Sequence, residues 1–300
     1  MNNTGRAYLA LAALCVIWGT TYTAIKYAIR DFPPFLMVAI RQTSAGIILV
    51  AWAMLAGKWT WTGRKYALRQ ALTGIATITG GNGFICWGMQ YVSSGLAAII
   101  GALTPVVVVL INVFWQGSER INGRVVSGVL LGFGGLGFIF SDGWADFARP
   151  EYQLGIAGCF ASCITWSLGT VMSKQWNSLE VSPLVNAGMQ VLAGGIGGIV
   201  MSLLFDTSSH INHTTEGWAA IVYLACIGSA LAFTLYMFIL KHLSATVSSL
   251  YTYINPIVAI LLGWLFLGEK LTAMVSLGMV ITIAGVWLVN SGHRQVSRSK

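Results

Sequence analysis

The sequence predicts an all-α integral membrane protein with ten transmembrane helices in two inverted five-helix repeats. Three observations lead to this prediction. The 300 residues are 56% hydrophobic and only 9% charged, whereas soluble domains carry roughly 25% charged residues. The apolar residues fall into ten segments of the length that crosses a bilayer, about 20 residues. A pattern of Ser, Pro, Glu and Gly residues in the first half returns about 150 positions later.

The ten apolar segments are separated by short connections, which leave no room for a soluble domain. In the first repeat we place spans at 7–29, 34–56, 68–90, 94–116 and 122–141. In the second repeat we place them at 152–174, 182–205, 217–239, 243–267 and 272–291. The repeats are therefore expected at 7–141 and 152–291, followed by a cytoplasmic basic tail at 292–300.

The duplication is most evident around two prolines. The segment 93–107, which contains Pro105, corresponds to 244–258, which contains Pro256 at an offset of 151 positions. Further pairs with offsets of 148 to 150 are Trp18 with Trp166, Gln42 with Gln190, Glu119 with Glu269, Gly128 with Gly278 and Gly135 with Gly285. Because each repeat has an odd number of spans, the two repeats run in opposite directions through the membrane, and a substrate site is expected near the midplane between them.

The orientation follows from the distribution of Lys and Arg between the spans. With a cytoplasmic N-terminus, twelve of the 17 basic residues fall inside: Arg6, Lys58, Arg64, Lys65, Arg69, Arg120, Arg124, Lys174, Lys241, Arg294, Arg298 and Lys300. Three fall outside: Arg30, Arg149 and Lys270. Since basic residues concentrate in cytoplasmic loops, both termini are expected in the cytoplasm. The net charge of +8 therefore reports topology and does not indicate nucleic-acid binding.

The cysteines give no indication of a metal or a cofactor. All five lie inside apolar segments, where they are expected to pack as small hydrophobic side chains. Cys159 and Cys163 are one helical turn apart, but no His or acidic residue lies near them in sequence. A metal site normally needs such further ligands, so we expect none.

Several features together resemble the drug/metabolite transporter superfamily, specifically its EamA-type branch of bacterial inner-membrane carriers. They are the ten spans in two repeats, the Trp18-Gly19-Thr20 stretch before Lys26, Arg41 in the second span, and a Ser/Thr-x-Pro pattern that leads to Glu119 and again to Glu269. The resemblance covers about residues 7–291. It implies a multi-pass carrier of the inner membrane, often an exporter of amino acids or related metabolites, and it leaves the substrate open.

The two prolines lie near the middle of their spans. Each removes a backbone N–H and leaves the carbonyl four residues earlier, that of Gly101 or Thr252, without its helical partner. The kink that follows is either a static packing feature or, because Pro105 and Pro256 occupy symmetric positions, a gating hinge beside the transport pathway.

Acidic residues all map to loops or span ends. Without a carboxylate at mid-membrane, a proton antiporter built on a buried acid is disfavoured, and we expect facilitated transport or coupling through the charge of the substrate. Glu119 and Glu269 form the only symmetric acidic pair. They are expected either to cap the start of the next helix or to latch a gate by pairing with Lys or Arg.

The candidate substrate-binding residues lie at mid-span. Arg41 is too deep to reach the surface easily, so it is expected to face a cavity and bind a carboxylate or phosphate of the substrate. The alternative is that it bonds backbone carbonyls freed by a kink, or extends outward along its apolar stem. The other candidates are aromatic and amide side chains, each of which could instead pack in the core or face lipid: Trp18, Asn82, Trp87, Trp166, Asn186, Gln190, Tyr251, Tyr253 and Asn255.

The sequence therefore predicts a membrane carrier that moves a small amphipathic metabolite, an amino acid or a derivative, in the direction of export by alternating access through a central cavity. The alternative is a flippase for a lipid or lipid-linked substrate. An enzyme is not expected, because the sequence has no Ser/His/Asp set or metal cluster. The expected partners are a small-molecule substrate and the bilayer, with no cofactor, and a monomer is sufficient for function.

Overall fold

The computed structural model describes residues 3–60, 63–116, 123–142, 148–178, 180–206, 211–248 and 251–298. The first repeat contains α1 (Asn3–Asp31), α2 (Pro34–Leu55), α3 (Arg64–Gly74, Ile75–Asn82 and Gly83–Gly88), α4 (Ser94–Gly101 and Thr104–Gln116) and α5 (Gly123–Asp142). The second contains α6 (Pro150–Trp176), α7 (Pro183–Phe205), α8 (Thr215–Tyr223, Leu224–Leu231 and Ala232–His242), α9 (Ala245–Ser248 and Tyr251–Leu267) and α10 (Ala273–Arg298). The ten helices follow the order of the ten predicted spans. The described part of the predicted basic tail continues α10.

Length and hydropathy support membrane crossing for most of these helices. Within the described residues, α1, α2, α4, α6, α7 and α8 contain stretches long and apolar enough to span a bilayer. Shorter apolar stretches occur in α5, α9 and α10 at Val126–Ile139, Tyr251–Leu267 and Ala273–Leu288. The remaining helix, α3, begins with the basic residues Arg64, Lys65 and Arg69. Large apolar side chains such as Leu55, Phe114 and Leu203 are more than four-fifths exposed, as lipid-facing positions require.

Helices α2 and α7, which hold the same position in the two repeats, pack against each other in opposite directions. Residues later in α2 meet residues earlier in α7: Ala39 with Gly198, Thr43 with Gly195, Gly46 with Leu192, and Val50 with Gly188. The approach depends on glycine, because a Cβ on Gly46 would lie 2.5 Å from the Leu192 Cα. Small residues allow such close backbone contact in membranes.

Helices α5 and α10 repeat this antiparallel arrangement at the other end of each repeat. The contacting pairs are Gly128 and Gly132 with Gly285, Gly135 with Thr282, and Ile139 with Gly278. Two equivalent helices can pack antiparallel only if the repeats that carry them run in opposite directions. The inverted-repeat prediction is therefore confirmed by two independent helix pairs.

The remaining contacts follow the same approximate two-fold relation. Helix α1 packs against α8 and α9, and its equivalent α6 packs against α3 and α4. Helix α2 also contacts α8, as α7 contacts α3. Each repeat thus completes its packing with helices from the other, and a shared space is left at the centre.

Two helices contain a wider turn at equivalent positions. In α3 the segment Ile75–Asn82 is a π-helix, and in α8 the segment Leu224–Leu231 is a π-helix 149 positions later. Sequence analysis did not predict these segments. π-helical turns are rare and occur mostly at functional sites.

The two prolines have different local effects. Before Pro105, α4 is interrupted at residues 102–103, and the Gly101 carbonyl accepts a 2.7 Å hydrogen bond from the Thr104 hydroxyl. The hydroxyl thus supplies the Gly101 carbonyl with a donor in place of the N–H that Pro105 lacks. Around Pro256, by contrast, α9 continues as a helix from Tyr251 to Leu267.

Candidate substrate site

A cavity lies between the two repeats near the middle of the bundle. Its volume is about 90 Å³, and α1, α2, α3, α4, α6, α8 and α9 contribute to its walls. Roughly 10–15 Å³ is needed for one water, so in this conformation the space takes several waters, and a larger ligand requires the walls to move apart. The predicted binding residues that line it are Trp18, Arg41, Asn82, Trp166, Tyr251 and Asn255.

Arg41 is the only charged side chain among the described residues that line this cavity. It is 2% exposed. Its Nε donates to the Ser229 Oγ at 2.8 Å, and its Nη2 donates to the Gly228 carbonyl at 3.3 Å. Both acceptors belong to the π-helical segment of α8 in the other repeat. Its Nη1 has no hydrogen-bond acceptor among the residues described.

The Gly228 carbonyl also accepts a hydrogen bond from Trp18, whose Nε1 lies 3.2 Å away. The Trp18 ring meets Trp166, its equivalent in the second repeat, edge to face with centroids 5.3 Å apart. The Trp166 Nε1 donates to the Tyr251 hydroxyl at 2.8 Å. Both indole N–H groups are therefore satisfied inside the protein, as buried indoles require.

An aromatic layer, formed by Trp18, Trp166, Phe233, Tyr236 and Tyr251, lies at one end of the cavity. Centroid distances within it range from 4.6 Å for Trp18 and Tyr251 to 6.4 Å for Trp166 and Phe233. Each of α1, α6, α8 and α9 contributes one cavity-lining residue to this layer: Trp18, Trp166, Phe233 and Tyr251. On each helix, this residue lies nearer than the other lining residues to the end of the bundle where α1 begins. Tyr236, one turn further along α8, is fully buried and shares a 2.7 Å hydrogen bond with Thr170.

Three amide side chains add to the polarity of the lining, beside the hydroxyl groups of its Ser, Thr and Tyr residues. Asn82 is half-buried at the end of the π-helical segment of α3. Asn255 is buried, and in the amide orientation that satisfies both atoms it donates to the Cys15 carbonyl at 3.1 Å and to the Tyr251 carbonyl at 3.0 Å. Gln42, which sequence analysis recognised only as the equivalent of Gln190, also lines the cavity.

Two predicted amides lie away from the cavity, in contacts between α7 and the first repeat. Asn186 accepts a 2.6 Å hydrogen bond from the Tyr66 hydroxyl. Gln190 donates to the Gln70 Oε1 at 2.7 Å and accepts from the Ser173 hydroxyl at 3.1 Å. The side of α7 that carries them faces α3 and α6, so they join the repeats instead of lining the central space.

Two predicted aromatic residues are also placed elsewhere. Trp87 lies near the end of α3, where it packs edge to face against Tyr91 at 5.5 Å and lines a separate pocket. Tyr253 packs against a cluster of buried apolar side chains. It is two residues from Tyr251, so the helical turn directs it away from the face that lines the cavity.

Three of the four predicted gating residues lie in the described part of the chain, and none of these three lines the cavity. Pro105 and Pro256 directly follow Thr104 and Asn255, which are lining residues. Glu269 accepts hydrogen bonds from the Ser94 N–H and hydroxyl, both at 2.7 Å, and from the Gly95 N–H at 3.3 Å. Its carboxylate thus caps the start of α4 in the other repeat. Sequence analysis expected it either to cap the next helix or to latch a gate by pairing with Lys or Arg. Glu119 lies outside the described residues.

The sequence matches a known family over both repeats. The model of the EamA-like transporter family matches residues 5–141 and 153–291. The chain therefore belongs to the EamA-like transporter family, and it is a membrane transporter and not an enzyme. The resemblance noted from its motifs is confirmed.

Curated relatives agree with this assignment, and a solved structure shares the fold. The chain is 29% identical to an uncharacterized inner membrane transporter, YedA, of Escherichia coli (strain K12), over 94% of this chain and 90% of that protein. It is 28% identical to protein PecM of Dickeya dadantii (strain 3937), over 93% and 90% respectively. A solved crystal structure with 21% identity matches with a TM-score of 0.71 over 97% of this chain and 99% of that one, which shows the shared fold.

Proposed function

We propose that this transporter carries a small amphipathic metabolite with an anionic group, an amino acid or a close derivative, in the direction of export. The observation that carries the proposal is the burial of Arg41 in the cavity wall without a carboxylate partner among the described lining residues. A buried cation is costly unless a counter-charge or several acceptors compensate it. Arg41 has two neutral acceptors, and its Nη1 remains for a ligand.

A carboxylate suits this guanidinium better than a neutral group. Charge-assisted hydrogen bonds are roughly twice as strong as neutral ones. The aromatic walls, formed by Trp18, Trp166, Tyr251 and Phe233, suit the apolar part of the ligand. The combination supports an amphipathic anion of metabolite size.

Alternating access would use the aromatic layer as the gate on one side. The layer joins α1 of the first repeat to α6, α8 and α9 of the second. To open that end, side chains from both repeats must separate, and in inverted repeats the equivalent movement closes the opposite end. We propose that the π-helical segments of α3 and α8 accommodate this rearrangement, since both contribute cavity-lining residues.

The proposal includes the location and energetics of transport. We propose an inner-membrane protein with both termini in the cytoplasm, on the evidence of the basic residues and the name of the Escherichia coli relative. Reporter fusions at the C-terminus and after Asp31 test this orientation and should give opposite signals. With no Asp or Glu among the described lining residues, transport should proceed without proton coupling. Since one chain forms the whole cavity wall described here, a monomer should be sufficient for transport. Flux of a neutral substrate that scales with an imposed pH gradient would contradict this.

A ligand screen on the purified protein tests the carboxylate proposal. Amino acids, their derivatives and other small carboxylates are added while thermal unfolding is followed. A ligand at a hundred times its dissociation constant adds about 2.7 kcal/mol of stability, a readily measured shift. Arg41→Met should abolish the shift for carboxylates, whereas Arg30→Met, which removes an exposed arginine, should preserve it. Carboxylate affinity that survives Arg41→Met would refute the proposed role of Arg41, and stabilisation by lipids alone would favour a flippase.

A further inference from the structure

Gln42 is a second cavity-lining residue with an unsatisfied polar atom. It follows Arg41 in α2, it is 1% exposed, and its Oε1 has no hydrogen-bond donor among the described residues. An acceptor buried in this way costs free energy until a donor reaches it. Two consecutive residues of one helix therefore offer a free donor, the Arg41 Nη1, and a free acceptor to the same cavity.

The equivalent residue in the other repeat has a different environment. Gln190 is also buried, but its amide is engaged with Gln70 and Ser173. The residue equivalent to Arg41 at the same offset of 148 is Met189, which carries no charge. The duplication thus places one glutamine in a structural network, while the other remains unpaired beside the only charged side chain of the described cavity wall.

We propose that Gln42 selects ligands that carry an O–H or N–H donor close to the anionic group bound by Arg41. This inference rests on the proposed function and narrows its substrate class to carboxylates such as 2-hydroxy, 2-acylamino or 2-amino acids. The ligand's carboxylate accepts from the Arg41 Nη1, and its neighbouring O–H or N–H donates to the Gln42 Oε1. A simple carboxylate would satisfy Arg41 but leave the Gln42 acceptor buried and unpaired.

Ligand pairs of equal charge and nearly equal size isolate this effect. One pair is 2-hydroxy-4-methylpentanoate and 4-methylpentanoate, and a larger pair is 3-phenyllactate and 3-phenylpropionate. Each pair differs by one hydroxyl group. Leaving a buried acceptor unpaired costs about 1–3 kcal/mol, so the wild-type protein should bind at least one hydroxy acid about fivefold or more tightly than its partner.

Two variants assign the discrimination to Gln42. Gln42→Met keeps the length of the side chain but removes the amide, and should reduce the affinity ratio to about one while the simple carboxylate binds as before. Gln90→Met makes the same change at an exposed position at the end of α3 and should preserve the ratio. If the Met variant does not fold, Gln42→Asn, which withdraws the amide by one methylene group, should lower the ratio in the same way.

The role of Gln42 is tested by measuring the affinities of the four ligands for the purified full-length wild-type protein and its variants in detergent. Equal wild-type affinities for both members of each pair, or a ratio unchanged by Gln42→Met, would overturn the role of Gln42 while leaving the Arg41 proposal intact. An equal loss of both members on Gln42→Met would also overturn it, because the amide would then be a donor to the carboxylate. If no carboxylate binds the wild-type protein, the proposed function fails as well.

Discussion

Arg41 on α2 and Ser229 on α8 are joined by a 2.8 Å hydrogen bond from the guanidinium Nε to the hydroxyl oxygen. The two residues belong to different repeats, and the bond lies in the wall of the central cavity. Ser229 belongs to a π-helical segment, as does Gly228, whose carbonyl accepts from both Arg41 and Trp18. The position of the guanidinium therefore depends on the unusual backbone of α8.

Removing the Ser229 hydroxyl should destabilise the protein and loosen Arg41. Ser229→Ala leaves the buried Nε without its partner, which costs about 1–3 kcal/mol of unfolding free energy. Thr234→Ala is the matched control, because that hydroxyl bonds only to the Ala230 carbonyl of its own helix. Thermal unfolding in detergent should show a clear loss for Ser229→Ala and a smaller one for Thr234→Ala. Equal losses would argue against a special role for the Arg41 contact.

The contact between α2 and α7 should not tolerate a methyl group at Gly46. A Cβ there would approach the Leu192 backbone within 2.5 Å, and the helices must separate to admit it. Overpacking of this kind costs about 1–3 kcal/mol. Gly137→Ala in α5 is the control, since nothing lies within 4 Å of the added carbon. Unfolding temperatures should fall for Gly46→Ala and remain the same or rise for Gly137→Ala, because helix propensity favours Ala over Gly at both positions. A fall of the same size in both would mean that the close approach to Leu192 is not the cause.

The carboxylate of Glu269 should stabilise the start of α4. Glu269→Ala removes the acceptor of three hydrogen bonds from Ser94 and Gly95, and loss of such a cap costs about 0.5–2 kcal/mol. Glu180→Ala removes an exposed carboxylate and should change stability by less than about 0.5 kcal/mol. Both variants are compared by thermal unfolding. A negligible effect of Glu269→Ala would show that other contacts hold α4 at this position.

Cys163 offers a direct probe of the aromatic layer, because it lines the cavity. In a variant that retains Cys163 and carries Ala at positions 15, 86, 159 and 226, a membrane-impermeant thiol reagent is applied from the side where α1 begins, which we propose is cytoplasmic. It should react slowly. Tyr236→Ala removes a fully buried member of the layer and should increase that rate. Tyr8→Ala, at an exposed position near the start of α1, is the control and should leave the rate unchanged. Rapid labelling without the tyrosine substitution would mean that the layer does not close that end.

The order of the helices could be predicted because hydropathy and repetition are properties of the sequence itself. Apolar length gave the ten spans, and the offset of about 150 residues between Pro105 and Pro256 gave the duplication. The contact in which Glu269 of the second repeat caps α4 of the first repeat could not be predicted. It depends on which loops meet at the same face, and sequence spacing carries no information about that.

The site could be predicted only in part, because the sequence gives the position of a residue along its helix but not the helix that it faces. Trp18 and Arg41 line the cavity, whereas Tyr253, two residues from Tyr251, packs against other side chains. Asn186 lies near the start of α7, where it bonds to Tyr66 near the start of α3. The π-helical segments shift the direction of later side chains by part of a turn, and no sequence pattern revealed them. Gln42 could have been predicted to line the cavity from its position directly beside Arg41.

A structure of the protein with a carboxylate ligand from the thermal screen tests the transport site most directly. We predict that the carboxylate lies within hydrogen-bond distance of the Arg41 Nη1, in the cavity between the repeats and beside Trp18 and Trp166. A ligand bound outside that cavity, or a lipid chain entering between the helices with no contact to Arg41, would contradict the prediction.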